Sequence, residues 1–408
     1  MTITTSERTT ASPQQEPLSI FAQANDIFDG WNDPQTGKRV LRIATHETEV
    51  SPGVQPAWCW RTHYHQLPCF LEGGRKVLLR TGEELKGARV ADSAFMDLIT
   101  GEVWNPFPAD CYPVQVQGDN LAILYRKGGR TEDIILWDIR AEKALVTLPG
   151  DGWGPAWWHF LCDGHRAILA QSKGEGGYAG HYRSRMFLAG DDGSCEPILE
   201  TDGAICNHVQ CHPADPNVFA YVSWPTPWVY LPQVIRIRTL DGSHDELLPL
   251  PDGAVRPGHA FLGLQRDHYL WTPDGSRIAS YVSPLESAEG CADHFDYGWH
   301  VSATDWRSGE DLSAPYPPQR WGCNFTVSPD GRFIVSAGSK EFQCLYAIEI
   351  EGLRQGWNER VFCTYPRTDV DGDNLGLFHM PWVLPDQSGV LFTAGWNGPE
   401  TGVYLVEW

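Results

Sequence analysis

His268-Tyr269-Leu270-Trp271-Thr272-Pro273-Asp274-Gly275-Ser276-Arg277-Ile278-Ala279-Ser280-Tyr281 reads as a strand, a tight turn and a second strand. Proline presets φ at the turn, aspartate bonds its own backbone two residues on, and glycine supplies a positive φ. The flanks are aromatic and β-branched, as half-buried strands prefer. The pattern recurs at Asn324–Val335 around Pro329-Asp330-Gly331 and at Met380–Phe392 around Pro385-Asp386. A further copy is Asn207-His208-Val209-Gln210-Cys211-His212-Pro213-Ala214-Asp215-Pro216-Asn217, running on into Val218–Val222. Weaker copies are Cys69–Leu79, Val114–Leu124 and Trp158–Leu169, turning at Gly73-Gly74, Gly118-Asp119-Asn120 and Asp163-Gly164.

Turns near residues 73, 119, 163, 215, 274, 330 and 386 are spaced by roughly 45 to 60 residues, the period of propeller blades. After each comes a second β pattern with its own turn, as in Arg236–Gly242. Four strands per blade and seven blades use up the chain, so the pattern predicts an all-β, seven-bladed β-propeller as one domain over residues 19–408. Gly402–Trp408 is expected to pair with an N-terminal strand and close the ring. Asp33-Pro34-Gln35-Thr36-Gly37 is a turn leading into a strand at Arg39–Ala44, and residues 1–18 read as a disordered polar tail.

Eighteen Trp, sixteen Phe and fourteen Tyr supply the core, while forty-one Gly and thirty Pro leave little room for long helices. The formal charge of −21 argues against nucleic acid or an anionic membrane as partner, yet leaves room for a small anionic substrate at a local basic pocket. No stretch reaches the roughly eighteen apolar residues of a membrane span, and the N-terminus lacks a basic-then-apolar signal. The expectation is a soluble, cytoplasmic protein. Eleven cysteines without a Cys-x-x-Cys pair read as reduced, mostly buried thiols.

In such repeats the strand before the turn lies innermost, so its first residues face the mouth of the central channel. Counting five residues back from the turn proline gives His208, His268, Asn324 and Met380, with His379 beside the last. Further back in the first blade stand Arg61, His63, His65 and Gln66, and Arg183 and Arg185, on a strand before His208, are candidates for a carboxylate clamp. Three blades offering imidazole to one mouth form a candidate site. Propellers also tile their channels with structural polar groups, and each residue carries that alternative. Trp157-Trp158 suits stacking on a sugar ring or packing between blades. Gly174–Gly180 lacks the Lys-Ser/Thr and helix of a phosphate loop.

With these residues in view, the chain resembles the oligogalacturonate lyases from about Asp33 onward. The resemblance rests on Thr36-Gly37, on Tyr64–Phe70 with Gln66 and Cys69, on Arg185, on His208 with its turn, and on His268–Gly275. Val390–Thr393 and Val403–Val406 extend it. It implies β-elimination on a uronate-containing oligosaccharide, with His208 as base and Arg185 assisting at the carboxylate. It also implies a manganese ion held by His268 together with a Gln and two His before the last turn. Of that trio this sequence keeps His379 alone, and Asn324 stands where the family has a further His.

β-Elimination fits the residue types. A neutral imidazole can take a proton near neutral pH, and a guanidinium can counter the neighbouring carboxylate. His63, His65, Gln66, Arg183, His212 and Asn324 are the candidates for substrate contacts, with His65 and His212 also able to protonate the leaving group. Two other readings stay open: a lyase for rhamnose–glucuronate linkages, and a non-catalytic carbohydrate-binding propeller. A hydrolase is the least favoured reading: no Gly-x-Ser-x-Gly elbow appears, and no carboxylate pair stands out at the channel positions.

Overall fold

The repeated turn is held by its own side chains. Thr272 Oγ1 donates to Asp274 Oδ1 at 2.6 Å, the same oxygen accepts from Ser276 N at 3.0 Å, and Gly275 N donates to the Thr272 carbonyl at 2.8 Å. Ser328 and Asp330 repeat this, with Gly331 N on the Ser328 carbonyl at 2.8 Å. Gly275 and Gly331 sit at φ +70° and +73°, where a Cβ is costly. In the last copy Gln387 occupies that position at φ +56° without glycine's freedom.

A computed structural model describes residues 18–50, 59–62, 66–82, 92–126, 132–175, 181–225, 234–249, 264–266, 268–284, 300–315, 317, 324–337, 344–365, 380–394 and 402–408. Their strands form seven antiparallel sheets arranged as a β-propeller. Blade 3 shows the plan: Gly154–Phe160 innermost, then Arg166–Glu175, His181–Gly190 and Cys195–Asp202, each hydrogen-bonded to the next. Blade 4 repeats it with Ala204–Cys211, Val218–Pro225, Val234–Thr239 and Asp245–Leu247.

The ring closes as the repeats predict. In blade 7, Gly402–Glu407 pairs with Arg39–Ala44, in register Val40↔Val406 and Leu41↔Leu405. The apolar clusters lie between blades. Ile123 and Leu136 of blade 2 pack with Leu169 of blade 3, Ile168 of blade 3 with Phe219 of blade 4, and Val222 of blade 4 with Ile278 of blade 5. Each sheet thus buries both faces against its neighbours, and the core circles the axis. The short helix Ile20–Asn25 is tied to the last turn through Ile20 N on Asp386 Oδ2 at 2.7 Å. Among the described cysteines none is in a disulfide, and only Cys162 and Cys195 are exposed. No helix among the described residues is long and apolar enough to cross a membrane.

Asp33 fastens the closing strand. It is buried, accepting from Gln35 N, Thr36 N and Thr36 Oγ1, and from Thr364 N and Oγ1 on blade 6. Burial alone would raise its pKa, but the hydrogen bonds from Thr36, Thr364 and Gln35 outweigh it and hold the carboxylate below its usual range. The folded pKa is depressed, so this stabilisation is complete above the unfolded value near 3.8 and fades as pH falls through the folded one. Asp33→Ala strands these donors and is expected to cost about 3 kcal/mol, from charged hydrogen bonds worth ~1.5–3 kcal/mol each less what water restores. Urea unfolding at pH 7 checks this, and the gap from the parent should narrow below about pH 4.

Candidate active site

The inner strand of blade 4 does not run straight. Asn207 pairs with Val222 and Gln210 with Ala220, so His208 and Val209 together face Tyr221. This is a β-bulge, a device that re-aims a side chain. His208 sits at φ +49°, a left-handed conformation rare for a non-glycine residue and frequent where function holds the backbone. Two bonds from blade 5 fix the bulge: Tyr269 Oη donates to the His208 carbonyl at 2.6 Å and Trp271 Nε1 to the Gln210 carbonyl at 3.1 Å. The imidazole lies edge-on to Trp157, with centroids 4.4 Å apart. Among the described residues it also lies near Trp224 at 6.0 Å and the His268 ring at 5.4 Å.

His208 forms part of the wall of a cavity of about 270 Å³, just below the usual ligand-pocket range of about 300–1,000 Å³. Blade 1 contributes Arg80 and Ser93, blade 2 Tyr112 and Tyr125, and blade 3 Trp157 and Trp158. The two indoles stack with centroids 5.6 Å apart, and Tyr125 meets Trp158 edge-on at 4.7 Å. Burial raises the pKa of both phenols, helped at Tyr112 by Glu132, whose carboxylate accepts from its hydroxyl at 3.0 Å. Among the described residues the cavity therefore presents one guanidinium, one imidazole and uncharged aromatic walls.

His208 and His268, in register in the sequence, come together. The other residues singled out have different surroundings. His212 has both ring nitrogens engaged in its turn. Nδ1 accepts from Ala214 N at 3.1 Å and Asp215 N at 2.9 Å, so Nε2 carries the proton to the Gly275 carbonyl at 3.0 Å. It takes the place of Thr272 and Ser328 in the other copies and supports the framework instead of a substrate. Gln66 is likewise a framework residue: its Nε2 donates to the Tyr269 carbonyl at 2.7 Å, and its own carbonyl accepts from Gln210 Nε2 at 2.7 Å. Asn324 is buried, and its carbonyl accepts from Ser336 Oγ at 3.2 Å.

Arg183 is exposed and paired with Glu200 at 2.5 Å. Arg185 lies over Trp153 at 4.3 Å, with Nε and Nη2 donating to Gln171 Oε1 at 2.9 and 2.7 Å. Burial pulls its pKa down. Ser184, one residue earlier, bonds to blade 4 through the Ala204 carbonyl, so strand alternation turns Arg185 to the opposite face. It is not among the residues lining the cavity with His208. His63, His65 and His379 lie outside the described residues.

Sequence reasoning passed over Arg80, although Val77-Leu78-Leu79-Arg80 carries a signal. A charge ends an otherwise buried apolar run on the second strand of a blade. It also passed over His159, whose burial pulls its pKa down to about 4, with Nδ1 2.8 Å from the Phe160 carbonyl. Its folded pKa lies below the unfolded 6.5, so stability is complete above 6.5 and falls as pH drops toward 4. The loss should approach 3 kcal/mol by the lower value, at about 1.4 kcal/mol per pH unit. Urea midpoints across this range should decline less in His159→Gln.

The manganese implied by the resemblance finds no complete set of ligands here. Among the described residues no three His, Cys, Asp or Glu side chains converge on one point. His268 with His208 offers two imidazoles, whereas manganese prefers an oxygen-rich octahedral set. The described donors do not fit the ion by themselves, and no step below runs through it.

No protein-family model matches the sequence, and no curated protein matches it. Solved structures do. One is an oligogalacturonate lyase in complex with manganese, 16% identical, covering 93% of this chain and 96% of that one at a TM-score of 0.66. Another is an oligogalacturonate lyase from Vibrio parahaemolyticus, 15% identical, with 93% and 96% covered and a TM-score of 0.67. At this identity the likeness to both is one of fold, over 93% of this chain.

Proposed function

We propose that this propeller is an oligosaccharide lyase that cleaves a uronate-containing glycan by β-elimination, with His208 as the base. What carries the reading is the bulged, left-handed His208 beside His268 on a cavity that joins one guanidinium to aromatic walls. The whole-length likeness to two lyases supports it. The neutral imidazole of His208 takes the C5 proton of the uronate. The C5–H electron pair becomes the C4=C5 double bond, and the C4–O4 bond breaks. The departing O4 takes a proton, which we assign to His268. The negative charge building on the carboxylate needs a fixed cation, the role for which the sequence nominated Arg185.

Ultraviolet absorbance of purified protein mixed with galacturonate, glucuronate and rhamnose–glucuronate oligosaccharides tests this directly. A rise from the new conjugated double bond is expected with one of them, and that member names the substrate. No rise with any would overturn the lyase reading and leave a carbohydrate-binding propeller.

A further inference from the structure

Arg80 is placed against the rules of sheet electrostatics. It sits directly opposite Arg61 in the register Arg61↔Arg80, and like charges facing each other across antiparallel strands repel. Its other neighbour in register is Ser93, which offers no charge. Among the described residues its guanidinium has no hydrogen-bond or ion-pair partner. Burial first, and the Arg61 charge second, pull its pKa down.

The same fold shows how it settles a buried arginine elsewhere. Arg266 donates to Ser280 Oγ, the Pro249 carbonyl, Ser302 Oγ and Thr304 Oγ1, and the last two pass bonds on to Asp311. Arg80 is half-buried and, among the described residues, lacks such partners, so its charge is left without a counter-ion. Among the described residues Arg80 is left uncompensated, and it lines the wall of a cavity.

We infer that this cavity is a subsite for one carboxylate-bearing sugar ring, with Arg80 as the counter-ion of the carboxylate and Trp157, Trp158, Tyr112 and Tyr125 as the walls against the ring. The inference rests on the uronate reading above for the identity of the sugar, and it moves the cation at the carboxylate from Arg185 to Arg80. Guanidinium matches carboxylate in a fork of two parallel bonds. The phenols stay protonated and the indoles are uncharged, so among the described lining residues Arg80 supplies the fixed charge.

Calorimetric titration of the full chain with monomeric galacturonate, galactose and galactose 6-phosphate tests this without turnover, because a monosaccharide has no glycosidic group to eliminate. Galacturonate should bind at least tenfold more tightly than either neutral galactose or the phosphate. Arg80→Met should weaken galacturonate about 10- to 100-fold, the worth of a charged hydrogen-bonded pair, while leaving galactose unchanged. Arg185→Met should leave the galacturonate preference in place. Unliganded Arg80→Met should melt no lower than the parent, since it removes a charge that the empty cavity does not satisfy. Equal binding of acid and neutral sugar, tighter binding of the phosphate, or a preference that survives Arg80→Met would overturn the inference. So would a lowered melting temperature in unliganded Arg80→Met. Galacturonate binding that needs Arg80, without elimination on any oligomer, would keep the subsite and remove the lyase reading. Elimination with an unchanged KM in Arg80→Met would do the reverse.

Discussion

Replacing His208 by Asn is expected to lower the initial rate of double-bond formation by about 10²- to 10⁴-fold, the usual contribution of a positioned general base. Asparagine is the informative choice because of the backbone. At φ +49° a β-branched or bulky residue adds strain, whereas Asn tolerates the left-handed region better than most. The Tyr269 and Trp271 bonds that fix the bulge go to backbone carbonyls and survive the substitution. Melting should therefore change little while activity collapses. Full activity in a folded His208→Asn protein would sink the assignment of the base.

Gly275→Ala is expected to cost about 3 kcal/mol of stability, far more than the chemically identical Gly331→Ala. Both glycines have nearly the same positive φ, so both carry the left-handed penalty of about 1–2 kcal/mol. Their surroundings differ. A Cβ on Gly331 would meet only Pro273 Cδ at 3.5 Å, whereas one on Gly275 would lie 2.2 Å from His212 Cε1. The ring would have to leave, taking its bonds to Ala214 N, Asp215 N and the Gly275 carbonyl. Unmade buried hydrogen bonds add roughly 1–3 kcal/mol. Urea unfolding of both variants measures the difference. In a His212→Ala background the Gly275→Ala cost should shrink toward that of Gly331→Ala, a coupling read from the double-mutant cycle. Equal costs for the two glycines in the parent would mean that the His212 bracket contributes nothing.

The turns were legible because their chemistry is local. Pro273, Asp274 and Gly275 act on their own backbone, and the copies at 329–331 and 385–386 state the period that fixes seven blades. Closure was legible as well, since Gly402–Glu407 and Arg39–Ala44 each need a partner along an edge and find the other. The pairing of His208 with His268 followed from the same arithmetic, because equivalent positions on inner strands meet at the axis.

What the sequence did not disclose depends on contacts between blades. His212 and His208 are four residues apart on one strand, and nothing in their neighbourhood tells a turn bracket from a site residue. The difference comes from Gly275 on one side and from the bulge opposite Tyr221 on the other. Arg183 and Arg185 looked alike, yet one meets Glu200 in solvent and the other is tied to Gln171 over Trp153. Arg80 gave a weak local signal, and its meaning lies in three other blades. The sequence by itself determined the repeat, the blade count and the strand that closes the ring, because turn geometry and strand alternation are decided within about fourteen residues. Only the tertiary structure decided which side chains share a cavity, because that depends on the bulges and on the angle at which each blade presents its inner strand to the axis.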